Sequence, residues 1–151
     1  MRFTGTIEAK TDAKGRVFLP SAFRKALTDT DGRLVLKPDV FEPCLVVYPY
    51  AVWEAEVTTL RSRLNRWNAR EAMVLRQFMA DVEVFELDAN GRFLIPRRYL
   101  HAAAIEHAVT FIGLDDRIEI WGGQRGETPF MPREAFGAAL EQLMTPPPET
   151  T

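Results

Sequence analysis

Residues 12–20 read DAKGRVFLP, and 76 residues later, at residues 88–96, the chain reads DANGRFLIP. Five of the nine positions are identical, and three of the others exchange one apolar residue for another. A second match, between LVVY at residues 45–48 and IEIW at residues 118–121, follows at an offset of 73. Self-similarity at a nearly fixed spacing indicates a duplicated structural unit. We therefore interpret the 151-residue chain as two copies of one unit.

Both copies carry the same order of local signals. In the first copy, the patterns predict strands over residues 3–10, 16–19, 33–37 and 45–48, and a helix over 22–27 with Ser21 as its N-cap. In the second copy, apolar runs at 82–87 and 92–95 flank an Asn-Gly pair, which is typical of a tight β-hairpin. Each copy is therefore predicted to fold as strand, tight turn, strand, short helix, strand, strand, and the fold class is α+β.

Further helices are predicted to connect and finish the two units. An apolar stripe at helical spacing indicates one amphipathic helix, formed by Trp53, Val57, Leu60, Leu64 and Trp67. We expect both tryptophans to be packing residues. Asn68 is a candidate cap for a second helix, whose apolar residues over 72–79 occupy more than one face and predict burial by the other unit or by a neighbouring subunit. A last helix near 133–144 ends before three prolines.

These elements divide the chain into five segments. The predicted boundaries are 3–50 for the first unit, 51–80 for the connecting helices, 81–124 for the second unit, 129–145 for the C-terminal helix and 146–151 for a mobile tail.

The repeated turn has a physical interpretation. Asp12 or Asp88 can accept hydrogen bonds from backbone N–H groups of its own turn, and Gly15 or Gly91 supplies a residue with positive φ. The following arginine can pair with its aspartate or reach toward a phosphate or a guanine edge.

The two copies of the turn differ in charge. Lys14 adds a second cation to the first turn, whereas the second turn has neutral Asn90 at the equivalent position. We expect the first turn to contact a ligand, and Asp88 and Arg92 mainly to hold structure.

The net charge of −2 argues against a nucleic-acid binder, but the charge is segregated along the chain. Residues 1–37 hold eight basic residues against four acidic ones, and residues 61–76 hold five arginines against one glutamate. The intervening residues 38–60 hold four acids and no base. A locally basic face is therefore expected on an acidic protein, with the later arginines forming a solvated helix face or a subunit interface.

Several function classes have no support in the sequence. The only histidines, His101 and His107, lie on a segment that the alanines predict to be helical, and no acid or thiol completes a triad or a metal set. We expect no enzyme, no metal, no cofactor and no small-molecule substrate.

Cys44 is predicted to be a buried apolar residue, and Asp115 and Asp116 to be turn residues. No apolar run is long enough to span a bilayer, and we expect a cytoplasmic protein without membrane contact.

The paired motifs resemble those of the MraZ family of bacterial transcriptional regulators. The resemblance rests on two Asp-x-x-x-Arg motifs, Asp12 to Arg16 and Asp88 to Arg92, and extends to Phe23-Arg24, Pro43-Cys44-Leu45 and Tyr48-Pro49. It covers nearly the whole chain, from Phe3 to the region of Trp121.

The resemblance implies a fold and a partner. The fold would be two AbrB-like, β-barrel-type units (SpoVT-AbrB domains) related by a pseudo-two-fold within one chain. The protein would assemble into a homo-oligomeric ring associated with the nucleoid. It would bind double-stranded DNA at short G-rich direct repeats upstream of its own gene, in the division and cell-wall cluster. The DNA contacts would fall on Lys14, Gly15 and Arg16, with Arg2 and Arg24 as weaker candidates.

Two other classes of binding protein remain open at this point. An antitoxin would use the same kind of AbrB-like unit, but such proteins usually carry a long disordered tail that wraps a toxin, and only about seven residues follow the last helix here. A structural ring protein would show no salt-sensitive, sequence-specific DNA binding.

Overall fold

The computed structural model describes residues 2–123 and 129–148. The last three residues of the predicted mobile tail, 149–151, and the last residue of the predicted second unit, 124, lie outside the described residues.

The first half of the described chain contains four strands and three helices. They are β1 (Thr6–Lys10), β2 (Arg16–Phe18), α1 (Ser21–Ala26), β3 (Leu34–Pro38), β4 (Leu45–Pro49), α2 (Tyr50–Ser62) and α3 (Ala69–Ala80). The second half adds β5 (Glu83–Phe85), β6 (Arg92–Leu94), α4 (Arg97–Ala102), β7 (Ala108–Leu114), β8 (Arg117–Gly122) and α5 (Arg133–Met144). The α+β prediction is confirmed, and the element order within the two halves repeats as expected.

The strands form one six-stranded antiparallel sheet, ordered β1-β7-β8-β4-β3-β5, and one two-stranded ribbon of β2 and β6. They do not close into a barrel within the described residues. Strand β1 of the first half pairs with β7 of the second, and β5 of the second half pairs with β3 of the first. The two halves therefore exchange their first strands, so that neither half completes its sheet alone.

The register of two ladders reveals the pseudo-two-fold axis. In the ribbon, Val17 lies opposite Phe93, which is its own equivalent 76 residues later. In the large sheet, Val46 lies opposite Glu119, its equivalent at the offset of 73. A residue paired with its own copy must lie at the symmetry axis, because the axis exchanges the two positions. Both sequence offsets are thus reproduced by the pairing.

The exchange corrects the predicted hairpins. The strands on either side of the first turn do not form a ladder with each other, since β1 pairs with β7 and β2 pairs with β6. The same holds for the second turn, whose flanking strands β5 and β6 pair with β3 and β2. Each turn is closed by hydrogen bonds among its own residues, and it connects a strand of the large sheet to a strand of the ribbon.

The main core lies between the large sheet, the ribbon and the short helices α1 and α4. Aromatic side chains contribute much of its volume, with Phe3 and Phe23 in edge contact at 5.8 Å between ring centroids and Tyr99 fully buried. Cys44 is buried, as predicted, in a small cluster with Ile112 and Trp121.

The connecting helices follow the prediction in part. Asn68 caps α3, because its side-chain oxygen accepts from the backbone N–H groups of Arg70 at 3.0 Å and Glu71 at 3.2 Å. Trp53 is buried, as predicted, and stacks on Phe78 at 5.2 Å between ring centroids. Trp67, by contrast, is 91 % exposed, so its assignment as a packing residue was wrong.

Two other predictions about helix ends are corrected. Helix α2 ends at Ser62, so that Leu64 and Trp67 follow it instead of extending its stripe. Ser21 is the first residue of α1 and not its cap, and the N-cap position is held by Pro20, whose fixed φ directs the chain into the helix. Helix α5 occupies the predicted residues. None of the helices in the described residues is long and apolar enough to cross a membrane.

Candidate nucleic-acid interface

The first turn is organised by the carboxylate of Asp12. Its Oδ1 accepts from the backbone N–H groups of Lys14 and Arg16, both at 2.9 Å, and its Oδ2 accepts from Arg16 Nε at 2.8 Å. The backbone N–H of Asp12 donates to the carbonyl of Arg16 at 2.8 Å. Gly15 has a φ of +89°, which a residue with a side chain adopts only with strain. The turn therefore needs Asp12 and Gly15 for its geometry, as the sequence predicts.

These hydrogen bonds stabilise the ionised form of Asp12. The backbone N–H of Arg16 holds the pKa of Asp12 below its usual value, and the Arg16 side chain and the Lys14 N–H act in the same direction against the effect of desolvation. Asp12 is therefore a carboxylate at neutral pH and occupies the Nε edge of Arg16. The two terminal nitrogens of Arg16 have no hydrogen-bond acceptor among the described residues and remain available to a ligand.

The second turn repeats this geometry closely. Asp88 Oδ1 accepts from the backbone N–H groups of Asn90 and Arg92, both at 2.9 Å, and Oδ2 accepts from Arg92 Nε at 3.1 Å. The pKa of Asp88 is lowered mainly by the Arg92 N–H, for the same reason as in the first turn. Pairing between aspartate and arginine is thus common to both turns and does not distinguish a structural turn from a ligand-binding one.

The turns differ in the side chain that lies behind each glycine. A Cβ atom built on Gly15 would lie 3.0 Å from the Ile95 carbonyl oxygen and 3.3 Å from Leu100 Cδ1. A Cβ atom built on Gly91 would instead meet the guanidinium of Arg24. Position 24 is the equivalent of position 100 at the repeat offset of 76. The structure therefore places Arg24 against the second turn, although its sequence position suggested the first.

The ribbon joins the two turns into one surface. Leu19 donates its N–H to the Gly91 carbonyl at 3.0 Å, and Ile95 donates to the Gly15 carbonyl at 2.9 Å, so the turns lie at opposite ends of the ribbon. Val17 and Phe93 face the core, and the alternate residues face outward. These are Arg16, which is paired with Leu94, and Phe18, which is paired with Arg92.

This outer face combines cationic and apolar side chains. Phe18 and Leu94 are 54 % and 56 % exposed, and the Arg92 guanidinium lies 5.7 Å from the centroid of the Phe18 ring. Sequence reasoning missed these two apolar residues. The strand alternation about Val17 and Phe93 was the signal that could have found them. A two-stranded ribbon of this width can enter the major groove of DNA, where arginine forks match guanine edges.

The other candidate cations lie elsewhere. Arg2 is 3.6 Å from Asp115 (Nη1 to Oδ1), in the turn between β7 and β8, where Asp115 and Asp116 lie as predicted. Strand β1 separates Arg2 from the first turn along the chain. Five exposed arginines lie along α2, α3 and the loop between them, and none forms an ion pair within the described residues: Arg61, Arg63, Arg66, Arg70 and Arg76.

The histidines do not share a helix. His101 lies on α4, which ends at Ala102, and His107 precedes β7 and accepts the Thr11 N–H at its carbonyl. The predicted helix through both residues was therefore wrong. Across residues 2–123 and 129–148, the structure contains no group of three or more His, Cys, Asp or Glu residues arranged to hold a metal ion.

Comparison with known proteins gives consistent matches over nearly the whole chain. A family model described as "MraZ protein, putative antitoxin-like" matches residues 2–77 and 78–127, dividing the chain close to the repeat. A protein of Phocaeicola vulgatus named "Transcriptional regulator MraZ" is 55 % identical over 145 residues, covering 95 % of this chain and 94 % of the relative. The protein of the same name from Bacteroides fragilis strain YCH46 is 51 % identical over 152 residues, covering 100 % and 96 %. That from Treponema pallidum is 37 % identical over 142 residues, covering 93 % of each.

Proposed function

The chain belongs to the MraZ family, and on this premise we propose that it is a sequence-specific DNA-binding transcriptional regulator. It acts as a homo-oligomeric ring on short G-rich direct repeats upstream of its own gene, in the division and cell-wall cluster. It works in the cytoplasm, in association with the nucleoid, and carries out no catalysis. The relatives named above support the regulator class, and the geometry of the first turn supports the site.

One observation carries the assignment of the DNA contact. Arg16 is held at its Nε edge by Asp12 at 2.8 Å, and its terminal nitrogens have no acceptor within the described residues. Arg92 is held in the same way by Asp88, but it lies 5.7 Å from the centroid of the Phe18 ring and has neutral Asn90 beside it in place of Lys14. The Arg16 guanidinium is therefore oriented before a ligand arrives, which reduces the entropy lost on binding. Exposed Lys14 and the backbone of Gly15 lie beside it in the same turn. We assign Arg16 to a guanine edge and Lys14 to the phosphate backbone. Gly15, whose N–H donates to the Asp12 carbonyl at 3.1 Å, contributes by holding the turn that presents both side chains.

Ring assembly explains how a small basic site on an acidic chain binds tightly. A single turn with two cations gives few phosphate contacts and a weak affinity. Several identical turns on one ring can engage successive repeats, and each contact after the first becomes intramolecular. Direct repeats of DNA are the arrangement that successive subunits of such a ring can match.

The assignment is tested by fluorescence anisotropy with the DNA upstream of the gene and a scrambled duplex of the same composition. We expect tight binding only to the native fragment, weakening steeply with salt. Arg16→Ala is expected to lower the affinity by roughly 5- to 150-fold, corresponding to about 1–3 kcal/mol for one bidentate guanine contact. Lys14→Ala should reduce the salt dependence.

Arg92→Ala is the matched control, because Arg92 has the same aspartate partner in the second turn. We expect its affinity to remain within a few-fold of the native value. The assignment is wrong if Arg16→Ala binds as tightly as the native protein while the oligomer stays intact. Equal affinity for both duplexes would exclude the specific regulator and favour an architectural ring protein.

A further inference from the structure

The outer face of the ribbon consists of four side chains in two cross-strand pairs. Arg16 lies opposite Leu94, and Phe18 lies opposite Arg92. Leu94 is the equivalent of Phe18 at the repeat offset of 76, as Arg92 is of Arg16, so each half of the chain contributes one cation and one apolar side chain. The pseudo-two-fold axis therefore places the apolar side chain of one half beside the arginine of the other half.

The two apolar side chains have different surroundings. The Arg92 guanidinium lies over the Phe18 ring, 5.7 Å from its centroid. Leu94 packs against the first turn, since its Cδ1 lies 3.7 Å from the position that a Cβ atom on Gly15 would occupy. More than half of the Leu94 side chain nevertheless stays exposed. Leu94 is thus an open apolar neighbour of the turn to which the DNA contact is assigned.

A ligand that binds Arg16 must also meet this exposed leucine. Side chains opposite each other on antiparallel strands have Cβ atoms about 4.5–5.5 Å apart. Base pairs of DNA stack at about 3.4 Å, so a guanine bound by Arg16 brings the neighbouring base pair within reach of Leu94. The apolar group that bases present in the major groove is the C5-methyl group of thymine. Any other base edge would lose its water to the leucine without gaining a hydrogen bond, which is unfavourable.

The charge of this face favours DNA over a second apolar protein surface. Arg16 and Arg92 flank the two apolar side chains, and in the described part of the chain each aspartate occupies only the Nε edge of its arginine. A partner that covers Leu94 must therefore supply acceptors for the remaining guanidinium nitrogens or leave them in water. The major groove offers such acceptors on guanine and on phosphate, beside the methyl groups of thymine.

We propose that Leu94 contacts the C5-methyl group of a thymine in the base pair next to the guanine bound by Arg16. The inference rests on the proposed function, since it requires the ribbon to lie in the major groove of the operator. It adds a residue of the second half to a site whose polar contacts come from the first half. Arginine selects guanine through hydrogen bonds, and leucine selects the neighbouring thymine through apolar contact.

Deoxyuridine in place of thymidine tests the contact, because it removes the methyl group and keeps every hydrogen-bonding group of the base. In a fluorescence-anisotropy assay with the upstream DNA, each thymine position of the repeat is replaced in turn. We expect one position at which the native protein loses affinity by about 4-fold per repeat, the factor for one buried methyl-sized group. Leu94→Ala should bind the thymidine and deoxyuridine duplexes equally at that position, because the partner of the methyl group is gone.

Two further variants control for effects on the fold. Leu94→Met keeps an apolar side chain of similar volume and should retain the preference for thymidine. Leu114→Ala removes a leucine of comparable exposure from the end of β7, outside the ribbon, and should leave the preference unchanged. Circular dichroism and light scattering should show the native fold and oligomer for every variant. A smaller oligomer in Leu94→Ala would place this side chain in a contact between copies and overturn the proposal.

The leucine contact and the proposed function fail in different ways. If the native protein binds the upstream DNA specifically, loses affinity in Arg16→Ala and shows no preference for thymidine at any position, the leucine contact is wrong and the regulator stands. A preference that is lost in Phe18→Ala and retained in Leu94→Ala would also overturn the proposal. If the native protein binds the scrambled duplex equally well, the sequence-specific function is wrong, and the leucine contact with it.

Discussion

The close packing of Gly15 at the junction between the first turn and the ribbon allows the loss of stability in Gly15→Ala to be predicted quantitatively. Gly15 and Gly32 have similar backbone angles, with φ of +89° and +83°. A Cβ at Gly32 would meet nothing within 4 Å, whereas a Cβ at Gly15 would lie 3.0 Å from the Ile95 carbonyl oxygen. That carbonyl belongs to the residue that donates its N–H to Gly15 at 2.9 Å, so it cannot move without loosening the contact between the two halves.

The expected loss of stability follows from these two contributions. A residue with a Cβ in the left-handed region costs about 1–2 kcal/mol, and alanine at Gly32 incurs this cost alone. Alanine at Gly15 adds a close contact with backbone, for which overpacking costs of about 1–3 kcal/mol are typical. The free energy of unfolding should therefore fall by about 1–2 kcal/mol for Gly32→Ala and about 2–5 kcal/mol for Gly15→Ala. In a chain of this size, each kcal/mol lowers Tm by about 2–4 °C.

Thermal unfolding followed by circular dichroism, at one protein concentration, measures this difference. Gly91→Ala provides an internal comparison, because its Cβ would meet the flexible Arg24 side chain and not backbone. We expect Gly91→Ala to resemble Gly32→Ala once Arg24 has moved aside. Equal losses for Gly15→Ala and Gly32→Ala would refute the idea that the first turn is seated against the backbone of the second half.

Three further predictions concern single side chains. Asn68→Ala should lower the free energy of unfolding by about 0.5–2 kcal/mol, as measured by chemical denaturation, because α3 loses its cap. Asn68→Asp keeps an acceptor oxygen and should retain most of the stabilisation that the cap provides. Trp53→Ala should lower the free energy of unfolding by about 3–5 kcal/mol, whereas Trp67→Ala should leave it nearly unchanged. Acrylamide should quench the fluorescence of exposed Trp67 at lower concentrations than that of buried Trp53. The lowered pKa values of Asp12 and Asp88 stabilise the fold above their unfolded pKa near 3.8, and this contribution is lost as the pH falls below about 4. Replacing both by asparagine should therefore reduce the loss of Tm between pH 5 and pH 3, and an unchanged pH dependence would contradict the assignment.

Much of the local structure could be predicted from the sequence because it depends on neighbours in the chain. The hydrogen bonds of Asp12 and Asp88 reach only four residues forward, and Asn68 caps α3 through residues two and three positions ahead. The repeat itself revealed the internal symmetry. These features involve contacts that a short segment makes with itself, so the residue types in that segment determine them.

The tertiary structure decided which strands pair and what lies behind each turn. A strand with one apolar face can form its backbone hydrogen bonds with any partner strand of suitable register. The sequences of β1 and β5 therefore do not indicate that these strands pair with the other half of the chain. Arg24 lies against the second turn because β2, which precedes its helix, pairs with β6 and brings Leu19 to the Gly91 carbonyl. The exposure of Trp67 follows from the end of α2 at Ser62, which leaves this residue beyond the helix. Sequence alone therefore determined the repeated unit and its turns, whereas long-range packing determined how the two copies are joined.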